Sequence, residues 1–335
     1  MLKKNWLIIL TGVLLSFIPC HEHITTNRTA NRAESSLLKD HDSISTYFGP
    51  KDNLSEQLIK LINLSEKNIY GAFYGLELIK VASALIDAKN RGVNVHLVMD
   101  KGRINSPRSQ YALLRKHINI KSTKQSRGLM HNKFCVFDNK IVWTGSYNPT
   151  YNGTYYNNNN VVVLNSEVLA EDFIGEFRRI SGSLDYKDYR RHTAEKEIAA
   201  FFSKKDNCKQ KIIQLLNNAE KSICFASFIF TDKDIAKVII SKHNKGIKIT
   251  GVMEKGMDSF WNMFSFFRHV GIDVKWDKNY SHQMHHKVFL IDKRIIITGS
   301  FNPTFSAHKL NWENIIVIQD AELARQFMDE IKKLF

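Results

Sequence analysis

The chain of 335 residues has room for one large domain or two of ordinary size, and 43% hydrophobic residues are enough to bury a core, which excludes an extended or disordered polymer. Lys and Arg total 48 against 33 Asp and Glu, a formal net charge of +15. That balance directs attention to a polyanionic partner, nucleic acid or an anionic lipid surface, and does not choose between them.

In chain order, Lys3 and Lys4 precede a short apolar run over residues 6–18, followed by Pro19 and Cys20. About 20 apolar residues are needed to span a bilayer, so the run predicts an export signal over residues 1–20 rather than a membrane anchor. Cys20 resembles the lipid-modified cysteine of bacterial lipoproteins, with Pro19 and Phe17 departing from the small residue and the leucine usual there. The expected location is outside the cytoplasm: periplasmic, lipid-anchored or secreted. The signal takes with it two lysines and no acid, so the basic character belongs to the remaining chain. Residues 21–45, rich in Thr, Asn, Ser and charge, read as a tether.

From residue 46 the periodicity is that of a folded domain. Apolar Leu58, Leu61 and Ile62 predict an amphipathic helix, residues 69–74 a strand, and Ile79, Ala82, Leu85 and Ile86 a second helix that stops before Gly92. A strand follows over 93–99, then a connecting segment with a helical patch. Strands come next over 134–137, 141–144 and 161–164, then a helix through Leu169, Phe173 and Phe177. Residues 181–200 are polar and charged and read as a connection between lobes. Cys135 and Cys224 sit in apolar, strand-like runs and read as buried free thiols, and with no CxxC spacing no disulfide framework is implied.

The chain matches itself at an offset of 154 residues without a gap. Residues 67–74 fall on 221–228, 91–95 on 245–249, 131–133 on 285–287 and 144–150 on 298–304. The chain reads as a tandem duplication, one copy over residues 46–180 and the other over 201–335.

Copy one carries His131-x-Lys133, then Asp138, then Gly145-Ser146-x-Asn148; copy two carries His285-x-Lys287, Asp292 and Gly299-Ser300-x-Asn302. On an extended strand, residues two apart project to one face, so each histidine and lysine act together. A phosphodiester needs that combination. Lysine, asparagine and serine donors hold nonbridging oxygens as charge builds on them, while imidazole supplies a nucleophile or a proton. One imidazole must be neutral to attack phosphorus and the other protonated to release the leaving oxygen, and two facing copies supply both.

These paired HxK(x)4D(x)6GSxN signatures resemble those of the phospholipase D superfamily, and residues from about 50 to 335 look like two fused units of its compact nuclease-like branch. The resemblance implies an α/β fold of two similar lobes, each a mixed β-sheet flanked by helices, related by a pseudo-twofold axis. It implies a phosphodiesterase working through a covalent phospho-histidine, one histidine being the nucleophile and the other the general acid and then base, with no metal or other cofactor. Carried over by position, it assigns catalytic roles to His131, Lys133, Asn148, His285, Lys287 and Asn302, supported by Ser146 and Ser300, with Asp138 and Asp292 holding the motif. Single-copy members pair as homodimers, so the fused pair is expected to be a monomer with one composite site.

One position breaks the repeat. Glu313 resembles the family carboxylate that orients a catalytic imidazole, whereas its copy-one counterpart is Asn159. A carboxylate raises the basicity of its partner and fixes its tautomer; an amide only orients it. The two histidines therefore differ, the sequence does not say which one Glu313 serves, and His131 is assigned as nucleophile by resemblance. His282 and His286 beside His285 raise the question of zinc. Their repeat partners are Gly128 and Asn132, so the cluster lies outside the duplicated machinery, and solvent-facing or substrate-contacting histidines are the expectation.

The segments leading into the two motifs point to different partners. Residues 101–130 hold Lys101, Arg103, Arg108, Arg115, Lys116, Lys121, Lys124 and Arg127 with no acid, which suits a phosphate backbone. The copy-two segment holds Phe260, Trp261, Phe264, Phe266, Phe267, Trp276 and Tyr280, suited to stacking on bases, to entering a lipid interface, or simply to packing in a core. Nuclease activity is the first expectation, and phospholipase D or cardiolipin hydrolase activity with membrane association the second. Noncatalytic binding of nucleic acid or membrane is the third, against which the intact motifs in both copies argue.

Overall fold

The computed structural model describes residues 43–123, 127–183, 197–259 and 262–335. The export signal with Cys20, the tether up to residue 42, residues 184–196 of the connection, Lys124, Phe260 and Trp261 lie outside the described residues.

The first lobe is a mixed sheet of β1 (Ile44–Gly49), β2 (Asn68–Phe73), β3 (Asn94–Met99), β4 (Asn119–Ser122), β5 (Lys133–Phe137), β6 (Ile141–Gly145) and β7 (Asn159–Asn165). Its spatial order is β1-β7-β6-β5-β2-β3-β4, with β2, β3 and β4 parallel and the remaining pairs antiparallel. The second lobe has β8 (Ile198–Phe202), β9 (Ser222–Ser227), β10 (Lys248–Met253), β11 (Asp273–Trp276), β12 (Lys287–Ile291), β13 (Ile295–Gly299) and β14 (Asn314–Gln319). Read from β8, its order repeats that of the first lobe. Ile44 and Ile198, Asn68 and Ser222, and Lys133 and Lys287 open matching strands, each pair 154 residues apart, so the offset seen in short motifs holds for the whole scaffold.

Alternation along the strands builds three layers of core. On β5, Phe134 and Val136 face inward while Cys135 and Phe137 face outward. The outward face of the first sheet is covered by helices Leu54–Leu64 and Ile79–Asn90, and that of the second by Cys208–Asn217 and Lys233–Asn244. The inward faces of both sheets share one central core with helices Glu167–Ile180 and Ala321–Lys333. These two helices open on matched caps: Ser166 Oγ accepts from the Leu169 N–H and Asp320 Oδ1 from the Leu323 N–H. Cys135, Cys208 and Cys224 are all buried free thiols. Among the described residues no helix is long and apolar enough to cross a membrane.

Two edge strands differ from the reading of composition. β1 begins inside the polar stretch taken as tether, and β8 begins at Ile198, inside the segment taken as a connection. Each is a short outer strand beside polar sequence; β8, although apolar throughout Ile198–Phe202, is only five residues long and follows a charged stretch, with Ile198, Ala200 and Phe202 inward. β4 and β11, four residues each at the other edge, were hidden for the same reason.

Candidate active site

The loop into β5 brings His131 to the junction between lobes, and the loop into β12 does the same for His285. Met130 forms an isolated parallel bridge with Trp312, and Met284 with Asn158. The His131 N–H donates to the Trp312 carbonyl at 2.9 Å and the His285 N–H to the Asn158 carbonyl at 2.8 Å. Each histidine is therefore pinned to the opposite lobe, one residue before position 313 or 159. This register decides what the repeat left open: Glu313 serves His131 across the junction, with Nδ1 and Oε2 2.9 Å apart, and Asn159 serves His285, Nδ1 to Oδ1 also 2.9 Å.

Both acceptors are held from several sides. Glu313, fully buried, also accepts from Ser300 Oγ at 2.6 Å and Asn311 Nδ2 at 3.0 Å. Asn159 Oδ1 accepts from Ser146 Oγ at 2.9 Å, while its Nδ2 donates to the Gly153 carbonyl at 3.1 Å. That last bond orients the amide with its oxygen toward the ring. Each imidazole thus donates from Nδ1 and keeps Nε2 for chemistry. The serines were expected to donate to substrate oxygens; instead each hydroxyl proton is committed to the residue that orients the opposite histidine. Gly145 and Gly299 permit this approach, because a Cβ there would lie 2.2 Å from the Asn160 oxygen and 2.4 Å from the Asn314 oxygen.

Lys133 and Lys287 are buried beside the rings, each Nζ donating to the carbonyl of its own motif histidine at 2.6 and 2.7 Å. Burial pushes Lys133 down to about 7, against the pull of Glu313 and Asp100, and pushes Lys287 well below its ordinary value, helped by the charge of Lys133. An anion between them restores both ammonium forms. Asn148 lines the cleft, and Asn148 Oδ1 and Asn302 Oδ1 are buried without a hydrogen-bond partner among the described residues. Those orphaned atoms are acceptors, so an anion here would be held from the Nδ2 side of each amide, whose N–H groups are the donors.

The imidazoles differ as their partners do. Burial lowers His131, but Glu313 opposes it; burial lowers His285 much further, and the neighbouring Lys287, Lys133, His131 and His286 all add to the effect. Burial would raise Glu313, yet His131, Lys133 and Ser300 outweigh it and leave the carboxylate favoured.

Asp138 and Asp292 lie away from the cleft. Asp138 accepts from the N–H groups of Glu66, Lys67 and Asn68, and Asp292 from those of Glu220, Lys221 and Ser222, tying the β5–β6 and β12–β13 turns to the start of the central strands. The three histidines of copy two part ways: His282 stacks on Tyr156 at 4.1 Å, His285 meets Asn159, and His286 Nδ1 meets Asn160 Oδ1 at 3.0 Å.

Several functional neighbours were not foreseen. Asp100 and Glu254 hold the Met130 and Met284 N–H groups at 2.8 and 2.6 Å, fixing the loops that carry the histidines. Tyr74 and Phe228 pack edge-on against His131 and His285, at 4.9 and 4.7 Å. A second polar layer joins Thr144, Asn314 and Asn132, mirrored by Thr298, Asn160 and His286. The signal was available, since each pair stands at the repeat offset, with polar side chains inside apolar strands.

A cleft of about 450 Å³ opens beside His285, lined by Tyr74, Glu77, Arg103, Arg108, Asn148, Asn159 and His282 among others; His131 and the two motif lysines are not in its wall. From the basic segment, Arg103 and Arg108 reach it; Lys121 instead bonds Ser181 and Ser183. Of the described aromatics in the copy-two segment, Phe264 stacks on Trp276 and Phe267 is buried, which leaves Phe266 and Tyr280 exposed.

Comparison with known proteins agrees with this geometry. Residues 58–181 and 212–335 each match the family described as cardiolipin synthase, PLD-like domain. The chain is 32% identical over 126 residues to the mitochondrial cardiolipin hydrolase of Chlamydomonas reinhardtii, covering 37% of this chain and 56% of that protein. It is 31% identical over 137 residues to a phospholipase D of Rickettsia typhi, covering 40% and 66%. The matched stretch thus spans between half and two thirds of these relatives. In fold it is similar to the phosphatidylserine synthase of Haemophilus influenzae Rd KW20, with a TM-score of 0.69, 14% identity, and 91% and 89% of the two chains covered. Matched in both copies over more than half its length, the chain belongs to the phospholipase D superfamily and carries its cardiolipin synthase-type PLD-like domain twice.

Proposed function

We propose that the chain is a phosphodiester hydrolase with one composite site, acting as a monomer outside the cytoplasm. The observation that carries the reading is the unequal pairing, His131 with the Glu313 carboxylate and His285 with the Asn159 amide. Attack by His131 Nε2 on phosphorus forms a P–N bond and places positive charge on the ring, which the Glu313 carboxylate stabilises through Nδ1–H. His285 gives a proton from Nε2 to the leaving oxygen as the P–O bond breaks. It then takes a proton from water, whose oxygen attacks phosphorus, breaks the P–N bond and returns His131 to its neutral form. Lys133, Lys287, Asn148 and Asn302 hold the nonbridging oxygens.

The substrate we favour is nucleic acid. A cleft walled by amides, with Arg103 and Arg108 outnumbering the one acid, Glu77, suits a sugar–phosphate backbone. Phospholipid is the second reading, supported by the names of the relatives and by exposed Ile79, Tyr151 and Phe305 on the surface. The test is parallel assay of the purified chain, with EDTA present, on single-stranded DNA, RNA, duplex DNA and cardiolipin-containing vesicles. Cleavage of nucleic acid is expected. Turnover of lipid alone transfers the site to the second reading, and activity abolished by EDTA and restored by zinc or magnesium contradicts the phospho-histidine mechanism.

A further inference from the structure

The duplication carries its own control for a second cavity. In the first lobe, Tyr70 stacks on His96 at 5.2 Å and meets the edge of Phe177 at 5.4 Å, filling the space between β2, β3 and helix Glu167–Ile180. The positions 154 residues on are Cys224, Thr250 and Ile331, so two rings are replaced by a thiol and a hydroxyl. Where the rings stood, the second lobe has a cavity of about 650 Å³ between β9, β10 and helix Ala321–Lys333. That volume lies within the roughly 300–1,000 Å³ of small-molecule sites.

Its floor is apolar, built from Cys224, Ala324, Met328 and Phe335, and its rim is predominantly basic, with Lys248, Lys275, Lys293, Arg325 and Lys332 against Asp273 and Asp329. Lys248, Lys293 and Arg325 at that rim replace Asn94, Asn139 and Glu171 of the first lobe, so cations were gained on the side where the rings were lost. Arg325 and Lys332 are paired with Glu322 and Asp329. Lys248, Lys275 and Lys293 are exposed and have no ion-pair partner among the described residues. The cavity stands at the starts of β9 and β10, whereas Ser227 at the far end of β9 pairs with the motif lysine Lys287. Five residues of strand at about 3.3 Å each put it roughly 15–20 Å from the cleft.

We propose that this cavity is a binding site for a single-chain anionic amphiphile, its alkyl chain on the Cys224, Ala324 and Met328 floor and its carboxylate or phosphate monoester among Lys248, Lys275 and Lys293. The apolar Cys224, Ala324 and Met328 surface takes the chain, since Ser222 and Thr250 carry the only hydroxyls among the described residues lining the cavity, and the lysine rim takes the charge without desolvating it. The site is independent of which phosphodiester the cleft cleaves.

Calorimetric titration of the full chain with laurate, dodecyl phosphate and dodecanol, each below its micelle concentration, tests this. One or both anions bind, and their ranking identifies carboxylate or phosphate as the headgroup; dodecanol binds at least tenfold more weakly. Lys248→Asn with Lys293→Asn, which restores first-lobe residues on an exposed rim, weakens the anions at least tenfold and leaves phosphodiester cleavage unchanged, separating this cavity from the cleft. Cys224→Tyr with Thr250→His refills the space and abolishes binding; should that variant not fold, the lysine pair and the probe ranking decide alone. Absence of binding by every probe, equal binding of dodecanol, or undiminished binding by the lysine variant overturns the proposal.

Discussion

The two lobes share strand order, register and the hydrogen bonds that hold their motifs, down to the aspartate at each hairpin turn and the acid that pins each histidine loop. They differ where the shared geometry meets chemistry. Glu313 and Asn159 present an oxygen to the same ring atom of the opposite histidine at the same 2.9 Å, steadied by Ser300 and Ser146 respectively. Toward the ring, the charge is what differs. A duplication can therefore hold its scaffold constant and still assign unlike tasks to like residues, because a carboxylate and an amide of similar shape set different proton affinities on identical imidazoles.

The deepest test of that comparison removes each histidine in turn. His131→Ala loses the nucleophile, so turnover falls to background and no phosphoenzyme forms with any leaving group. His285→Ala loses the proton donor and the base; with a leaving group that needs no proton it still attacks and accumulates the covalent species. Rapid-quench assays with an activated and an unactivated phosphodiester separate the two, and equal behaviour of both variants would break the asymmetry.

Exchanging the partners sharpens it. Glu313→Gln keeps the bond to His131 but removes the charge, and kcat falls by roughly 10²-fold or more while KM changes little. Asn159→Asp gives His285 a carboxylate of its own. In the proposed mechanism His285 is the acid, and burial has lowered its pKa, so kcat/KM is expected to decline as pH rises through that value. A carboxylate raises it, moves the declining limb to higher pH, and lifts kcat/KM at pH 8 on the order of tenfold relative to the parent. A limb that stays in place would show that His285 is not the acid.

The smallest effect is on stability. His286 stands where the first lobe has Asn132, is buried, bonds Asn160 and lies 3.9 Å from Glu330. Burial, with Lys287, holds its pKa down to about 3. A depressed folded value means that the unfolded chain takes up the proton first, so the contribution is complete above about 6.5 and is lost as pH falls toward 3. At pH 5 the loss is roughly 2 kcal/mol. His286→Asn removes this loss, and denaturant melts at pH 7 and pH 5 should differ less in the variant than in the parent.

Much of this was legible because periodicity and self-similarity are local. The paired motifs, the central strands and the long helices stand out through apolar spacing and a gap-free offset. The edge strands β1, β4, β8 and β11 do not, since each is a run of four to six residues beside polar or charged sequence, too short for its pattern to stand out. At the site, Glu313 could be recognised as the odd carboxylate, but its partner depends on the parallel bridge between Met130 and Trp312, a contact between chain segments 182 residues apart. The serines misled because a hydroxyl near a phosphate site reads as a substrate donor; only the close approach at Gly145 and Gly299 reveals the other acceptor. The aromatics of the copy-two segment were ambiguous for a related reason, since a ring that stacks on a ligand and one that fills a core have the same spacing.

The central claim is that one histidine, the one facing a carboxylate, carries the phosphoryl group. Rapid quench of the wild-type chain with an activated phosphodiester, followed by mass spectrometry of the peptides under conditions that preserve phospho-histidine, addresses it directly. The account predicts phosphate on the peptide containing His131 and none on the peptide containing His285. Phosphate on His285, or a covalent species persisting in His131→Ala, would contradict it.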